Sequence, residues 1–159
     1  MYPLHVKKIS YGGIISALVI FLLYTGNFTK SKIFFAALCS VFTGFLVELF
    51  GKGAIALIVA LNLLSFLIIP NPGYVLIFLV LSFYSLVRKK SFLLRFFYLN
   101  ASFFLLLIVA IKFFKIELPE VSSILYIFGV AGLQLAFLAY DYLYTRILDY
   151  LLHLTRERK

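Results

Sequence analysis

Negative charge is scarce in this sequence: six Asp and Glu face fifteen Lys and Arg in 159 residues, a formal net charge of +9. Cysteine is scarcer. Cys39 stands alone, which rules out an intramolecular disulfide and gives no reading of redox compartment. The two histidines, His5 and His153, lie near the chain ends, and the sequence holds no HExxH, no glycine-rich phosphate loop and no Cys/His spacing of a metal site. No nucleophile stands with a base, and no two acids share a depth, as an intramembrane enzyme needs. The expectation is a protein that is not an enzyme and uses no cofactor or metal. The low hydrophobicity that marks disordered chains is missing too.

What fills the chain instead is hydrocarbon. Apolar residues make up 64% of it, nineteen of them Phe, and charged residues only 13%; the mean hydropathy is +1.10. A soluble bundle of this length could not hide so much apolar surface. Apolar runs with short polar breaks predict an all-α, multi-pass membrane protein, a single transmembrane domain over residues 1–159. Most basic residues sit in the gaps between those runs and form no stripe on a soluble face, so membrane lipid, and no nucleic acid, is the expected partner. In "FAALC" a leucine precedes Cys39 where a lipoprotein signal wants a small residue, so Cys39 reads as a packing thiol. "HVKKISYGGIISALVIFLLYTG" imitates a signal peptide but has no clean small-x-small cleavage site, and reads as a retained first span.

Glycine, proline and charge divide the chain into six expected spans, about 9–25, 33–50, 53–69, 73–87, 96–114 and 121–145. A hydrocarbon core of about 30 Å takes about 20 helical residues. The third and fourth spans are short, which suits either a thinned region or ordered loops at one surface. "TGNFTKSK" reads as a polar link over the protein, "FGKG" as a tight turn, and "IIPNPGY" as a stop set by Pro70 and Pro72. "VRKKSFLLR" reads as a basic link with an interfacial helical segment. In "KIELPEVSS", Pro119 sits near a first helical turn, with Glu120, Ser122 and Ser123 available as caps.

With six spans, one side holds Lys7, Lys8, Lys52, Arg88, Lys89, Lys90, Arg95, Arg146, Arg156, Arg158 and Lys159, and the other only Lys30, Lys32 and Lys115. Eleven against three predicts that both termini are cytoplasmic, in a cell membrane. Five spans would scramble the asymmetry. In "LAYDYLYTRIL" the charge returns after Val121 to Tyr140, a charge-free stretch long enough to cross, so Asp141 is expected at the inner interface. Tyr140, Tyr142, Tyr144 and Tyr150 would then form an aromatic belt, with Arg146 pairing with Asp149 or stacking on Tyr142. Glu48 is expected to pair with Lys52 at helical spacing, the alternative being a role in coupling.

Polar side chains within spans are costly and turn toward protein or water. Tyr24, Asn27, Asn71, Tyr74, Lys112 and Tyr126 fall on the outward half, and Asn62, Ser65 and Gln134 nearer the middle; Glu48, Asn100, Asp141 and Arg146 fall on the inward half. For a chain that captures a solute from outside, the expected lining is Tyr24, Asn27, Asn62, Asn71, Tyr74, Lys112, Tyr126 and Gln134. Lys112 could hold a carboxylate or phosphate, or snorkel to the headgroups. Asn62 and Gln134 could bind solute or join helices through amide hydrogen bonds.

"GGIISA" in the first span, "LVELFGKGAIALIVALNLLSFLIIPNP", "YSLVRKKSFLLRFFYLN" and "LAYDYLYTRIL" together resemble the S components of energy-coupling factor transporters, in particular S-component-like proteins of Firmicutes and related bacteria. The resemblance covers most of the chain. It implies a compact bundle of six helices that binds a vitamin or related micronutrient at a site open to the outside, between the later helices under the first loop. It also implies a coupling transmembrane subunit and two cytoplasmic ATPases as partners, docked through small residues of the first helix, here Gly12, Gly13, Ser16 and Ala17. For Asp141 and Arg146 it implies an inner motif on the last helix, and it leaves the substrate open. The rival reading is a small assembly subunit of envelope machinery that binds partner proteins and no solute. A solute binder should hold an outward polar cavity containing Lys112 or Gln134 between the fourth, fifth and sixth spans; a scaffold should pack those positions shut. An ion or proton carrier is the weaker third reading, since midplane carboxylates are lacking.

Overall fold

Gly51 has a backbone φ of 58°, a conformation glycine reaches without the clash a Cβ would bring, and there the chain turns back on itself. A computed structural model describes residues 4–114 and 123–156, and the side chains of 9–109, 111–112 and 127–155. All regular structure among them is helical: α1 (Leu4–Asn27), α2 (Lys32–Phe50), α3 (Ala54–Ile68), α4 (Pro72–Val87), α5 (Phe92–Phe114) and α6 (Ser123–Arg156). A single 3₁₀ turn, Gly51–Gly53, joins α2 to α3. Helices suit lipid because they satisfy their own backbone groups, and no water is there to do so.

The starts and stops follow local chemistry. Asn71 caps α4, its side chain accepting from the Tyr74 amide at 3.1 Å, and Pro72 sits in the first turn, where a missing N–H costs nothing. "FGKG" forms the tight turn. Other links differ from expectation. Only residues 28–31 separate α1 from α2, and "FLLR" is continuous with α5 as its first turn. The capping at Pro119, Glu120, Ser122 and Ser123 lies outside the described residues and side chains. The last helix does not stop near Thr145. It runs to Arg156, 34 residues, with Tyr144, Leu148, Leu151 and Leu152 on one packed stripe at helical spacing.

α2 is the central helix, packed against α1, α3, α4 and α6. Its buried face carries Ala36, Cys39, Ser40, Thr43 and Gly44, and such small side chains let neighbouring backbones approach closely. Ser40 and Thr43 donate to the carbonyls of Ala37 and Ser40, at 2.5 and 2.7 Å, which satisfies these hydroxyls within their own helix. The Cys39 thiol, fully buried, points at the Val19 carbonyl of α1 at 3.6 Å, a packing role. A Cβ on Gly44 would run into the Tyr144 ring and Leu148 of α6. α1 runs antiparallel to α2: Gly12 lies at Phe50, Val19 at Cys39 and Gly26 at Phe35.

Two apolar clusters result. One, including Val19, Leu46, Leu61, Val75 and Phe78, joins α1 through α4. The other, of Val41, Phe45, Tyr84, Leu99, Tyr144 and Leu148, joins α2, α4, α5 and α6. Outside them the surface is oily: Phe97, Phe104, Leu105, Ile127, Phe128 and Leu135 are all more than half exposed. In water such a surface would aggregate; in a bilayer it is the lipid face. Four stretches are long and apolar enough to cross a membrane: Ile9–Asn27, Lys32–Ile68, Phe92–Val109 and Ile127–Thr155. The second holds both α2 and α3, folded at Gly51. α3 and α4, with 15 and 16 residues, fall short of the usual span.

Candidate functional site

The ends of α2 and α4, the start of α5 and the second half of α6 meet in an ion-paired cluster. Arg88 reaches Glu48 at 3.4 Å and also pairs with Asp149, while Lys89 binds the other Glu48 oxygen at 3.0 Å. Arg95 pairs with Asp141 at 3.1 Å, and the Tyr84 hydroxyl donates to the same carboxylate. Every acid whose side chain is described is thus neutralised here. Around Tyr84 the rings of Tyr140 and Tyr144 pack edge-on, with centroids 5.2 and 5.1 Å away, and Tyr140 shares a 2.8 Å hydrogen bond with Ser40. Charges held out of water need partners of this kind.

This cluster corrects three expectations from the sequence. Glu48 pairs with Arg88 and Lys89 rather than Lys52, because α4 ends directly beside α2 whereas Lys52 lies on the exposed 3₁₀ turn. Asp149 pairs with Arg88, and Arg146 faces outward, so the pairing of Arg146 with Asp149 is not formed. The expected tyrosine belt divides by helical face: Tyr142 and Tyr150 are exposed, whereas Tyr144 is 1% exposed and Tyr140 turns in toward Tyr84.

At the opposite end lies a cavity of about 660 Å³, walled by the 30–34 segment and by Asn71, Gly73, Tyr74 and Ile77. The α1–α2 link and the first turn of α2 form one side of it, and the first turn of α4 the other. Lys30, Ser31 and Lys32 line it. The sequence reading used these lysines only to count charge; the signal that could have placed them was their position just before the first turn of α2.

The remaining residues singled out in the sequence go to different places. Asn71 and Tyr74 share the cavity just described, although Asn71 also caps α4. Tyr24 is exposed, packs edge-on to Phe28, and lines a separate apolar groove of about 640 Å³ between α1 and α3, together with Ser16 and Ala17. Asn27 is half-buried at the end of α1. Asn62 is buried and donates to Ser82, joining α3 to α4 at 2.9 Å. Gln134 and Asn100 exchange hydrogen bonds of 2.9 and 3.3 Å, joining α5 to α6. Lys112 is exposed and lines neither cavity. The Tyr126 side chain lies outside those described. Of the small residues, Gly12 is covered by the Phe50 ring, while Gly13 and Ala17 face outward, with open space around Gly13.

Among the described residues no three His, Cys, Asp or Glu side chains gather as metal ligands. Comparison with protein-family models, with curated proteins and with solved structures found no match.

Proposed function

We propose that the chain is the substrate-binding S component of an importer of the energy-coupling factor type, taking up a vitamin or related micronutrient across the cell membrane. In this reading all six helices span, α3 and α4 in a thinned or loop-capped region, and both termini are cytoplasmic. The coupling subunit docks on the outward small residues of α1, Gly13 and Ala17, and two cytoplasmic ATPases supply energy. One observation carries the proposal: the two ends of the bundle are unlike. One is closed by ion pairs, and the other opens into a cavity where Lys30, Ser31, Lys32, Asn71 and Tyr74 share the wall with Ile33, Phe34 and Ile77. A protein that accepts solute from one face needs that asymmetry. The oily exterior and the basic excess beside the ion-paired end fit a bilayer with that end inward.

Native mass spectrometry of the protein purified from its own membranes tests this reading. A retained small molecule or retained ATPase subunits is the expected result. Gly13→Leu with Ala17→Leu should abolish retention of the coupling subunit and leave solute binding intact, since the space at Gly13 is open and the fold needs no rearrangement.

One observation favours the scaffold reading. Gln134 is closed off by its pairing with Asn100, and Lys112 turns outward. An assembly subunit would co-purify with envelope proteins and hold no small molecule.

A further inference from the structure

α2 and α6 run parallel and are zipped together along only part of their length. Tyr140 shares its hydrogen bond with Ser40, 100 positions before it, and the Tyr144 hydroxyl lies against Gly44 at the same offset. Away from the ion-paired cluster, the face of α2 that carries Ser40 and Gly44 continues as Ala37 and Ile33, at helical spacings. The face of α6 that carries Tyr140 and Tyr144 continues as Phe137 and Leu133. Both continuations are apolar and keep the same offset. The seam is therefore written for about two helical turns beyond Ser40 and Tyr140.

The packing stops short of that. Ile33 is 67% exposed, and Ile33, Ala37 and Leu133 neither belong to nor pack on either apolar cluster. One turn further along α6, Val130 is 42% exposed, and a Cβ on Gly129 or Gly132 would meet nothing. α5 divides in the same way. Its ties to the first four helices, Tyr98 donating to the Val80 carbonyl and Leu99 in the second cluster, lie in its first third. Beyond them its polar and ring contacts, among the described residues, run to α6 or within α5: Asn100 with Gln134, and Phe103 with Phe137. Ile33 and Phe34 also border the 660 Å³ cavity, and no residue of α5 or α6 among those described lines it.

We infer that residues 127–137 of α6 are an arm that closes on the first two turns of α2, carrying α5 with it, and covers the cavity from the side of Ile33. Closing extends the existing seam in its existing register. The pivot is the layer where Asp141 ties α6 to Arg95 of α5 and Tyr84 of α4. Lipid is as apolar as the seam, so hydrophobic burial drives neither closing nor opening. A solute that touches the closed arm can then set the balance. This rests on reading the cavity as the solute-accepting mouth, and adds the part that shuts it.

The test uses the full chain in phosphatidylcholine nanodiscs, in a Cys39→Ala background. Ile33→Cys with Leu133→Cys should form a disulfide on mild oxidation, because closing brings in-register positions within the Cα separation of about 4.4–6.8 Å that the bond needs. Ile33→Cys with Leu135→Cys, on the opposite face of α6, should not. Spin labels on Leu67→Cys and Phe128→Cys, exposed on α3 and on the arm, should give two distances about 5 Å or more apart, half a helix diameter. Labels on Lys52→Cys and Tyr150→Cys, both exposed near the ion-paired end, should give one. Failure of the Leu133 disulfide, or equal disulfide formation at Leu135, overturns the inference. So does a single distance for the first labelled pair as narrow as that for the second. A small molecule or ATPase subunits retained in native mass spectrometry, beside that single distance, would leave the importer reading standing and remove only the arm.

Discussion

Asp141 of α6 and Arg95 of α5 pair at 3.1 Å, with 14% and 18% of their side chains exposed. The carboxylate also accepts from Tyr84 of α4, so one acid ties three helices. Asp141→Asn leaves the guanidinium with no counter-charge in a covered position and should cost about 2–3 kcal/mol. Adding Arg95→Gln should return much of that loss, because two neutral amides can pair where one stranded charge cannot. Thermal unfolding in detergent measures both; equal losses for the single and double variants would show that the pair contributes no coupling.

A second prediction concerns close approach. A methyl on Gly44 would meet the Tyr144 ring and Leu148, so Gly44→Ala should destabilise by about 1–3 kcal/mol through overpacking. Tyr144→Phe in the same background should recover part of it, since the hydroxyl is among the atoms in the way. Gly53, with open space around it and φ of −67°, is the contrast: Gly53→Ala should change stability by no more than about 0.5 kcal/mol.

The Asn100 and Gln134 amides satisfy one another across α5 and α6. Asn100→Leu alone strands its partner and should cost about 1–2 kcal/mol. Asn100→Leu with Gln134→Leu should recover most of that, because lipid-like surroundings accept two leucines. Retained solute binding in the double variant would fit an amide pair that holds helices together and makes no contact with solute; loss of binding with the fold intact would put Gln134 in the site.

What the sequence revealed and what it hid divide along a physical line. Apolar runs marked the helices because a bilayer demands both length and oiliness, and the turn at Gly51 and the cap at Asn71 are local chemistry. Contacts between distant segments were not legible. Lys52 is the cation four residues from Glu48, yet the partners are Arg88 and Lys89, some forty positions away, and only packing of α4 on α2 brings them there. The far end of α6 was hidden for a different reason. Asp141, Arg146 and Asp149 interrupt the oily run, so a hydropathy reading stops, while the stripe of Tyr144, Leu148 and Leu151 carries the helix on. The lysine-lined cavity escaped notice because Lys30 and Lys32 look like ordinary membrane-flanking charge until α4 is laid beside them.

The central claim is that the ion-paired end faces the cytoplasm and the lysine-lined cavity faces out. Cys39, the sole cysteine, is fully buried, so a Cys39→Ala background makes single-cysteine labelling clean. Lys30→Cys and Lys90→Cys, one at each end and both exposed, report the two faces. A membrane-impermeant maleimide applied to intact cells should label position 30 at once and position 90 only after permeabilisation. Labelling of both from the same side, or of position 90 alone, would contradict the account.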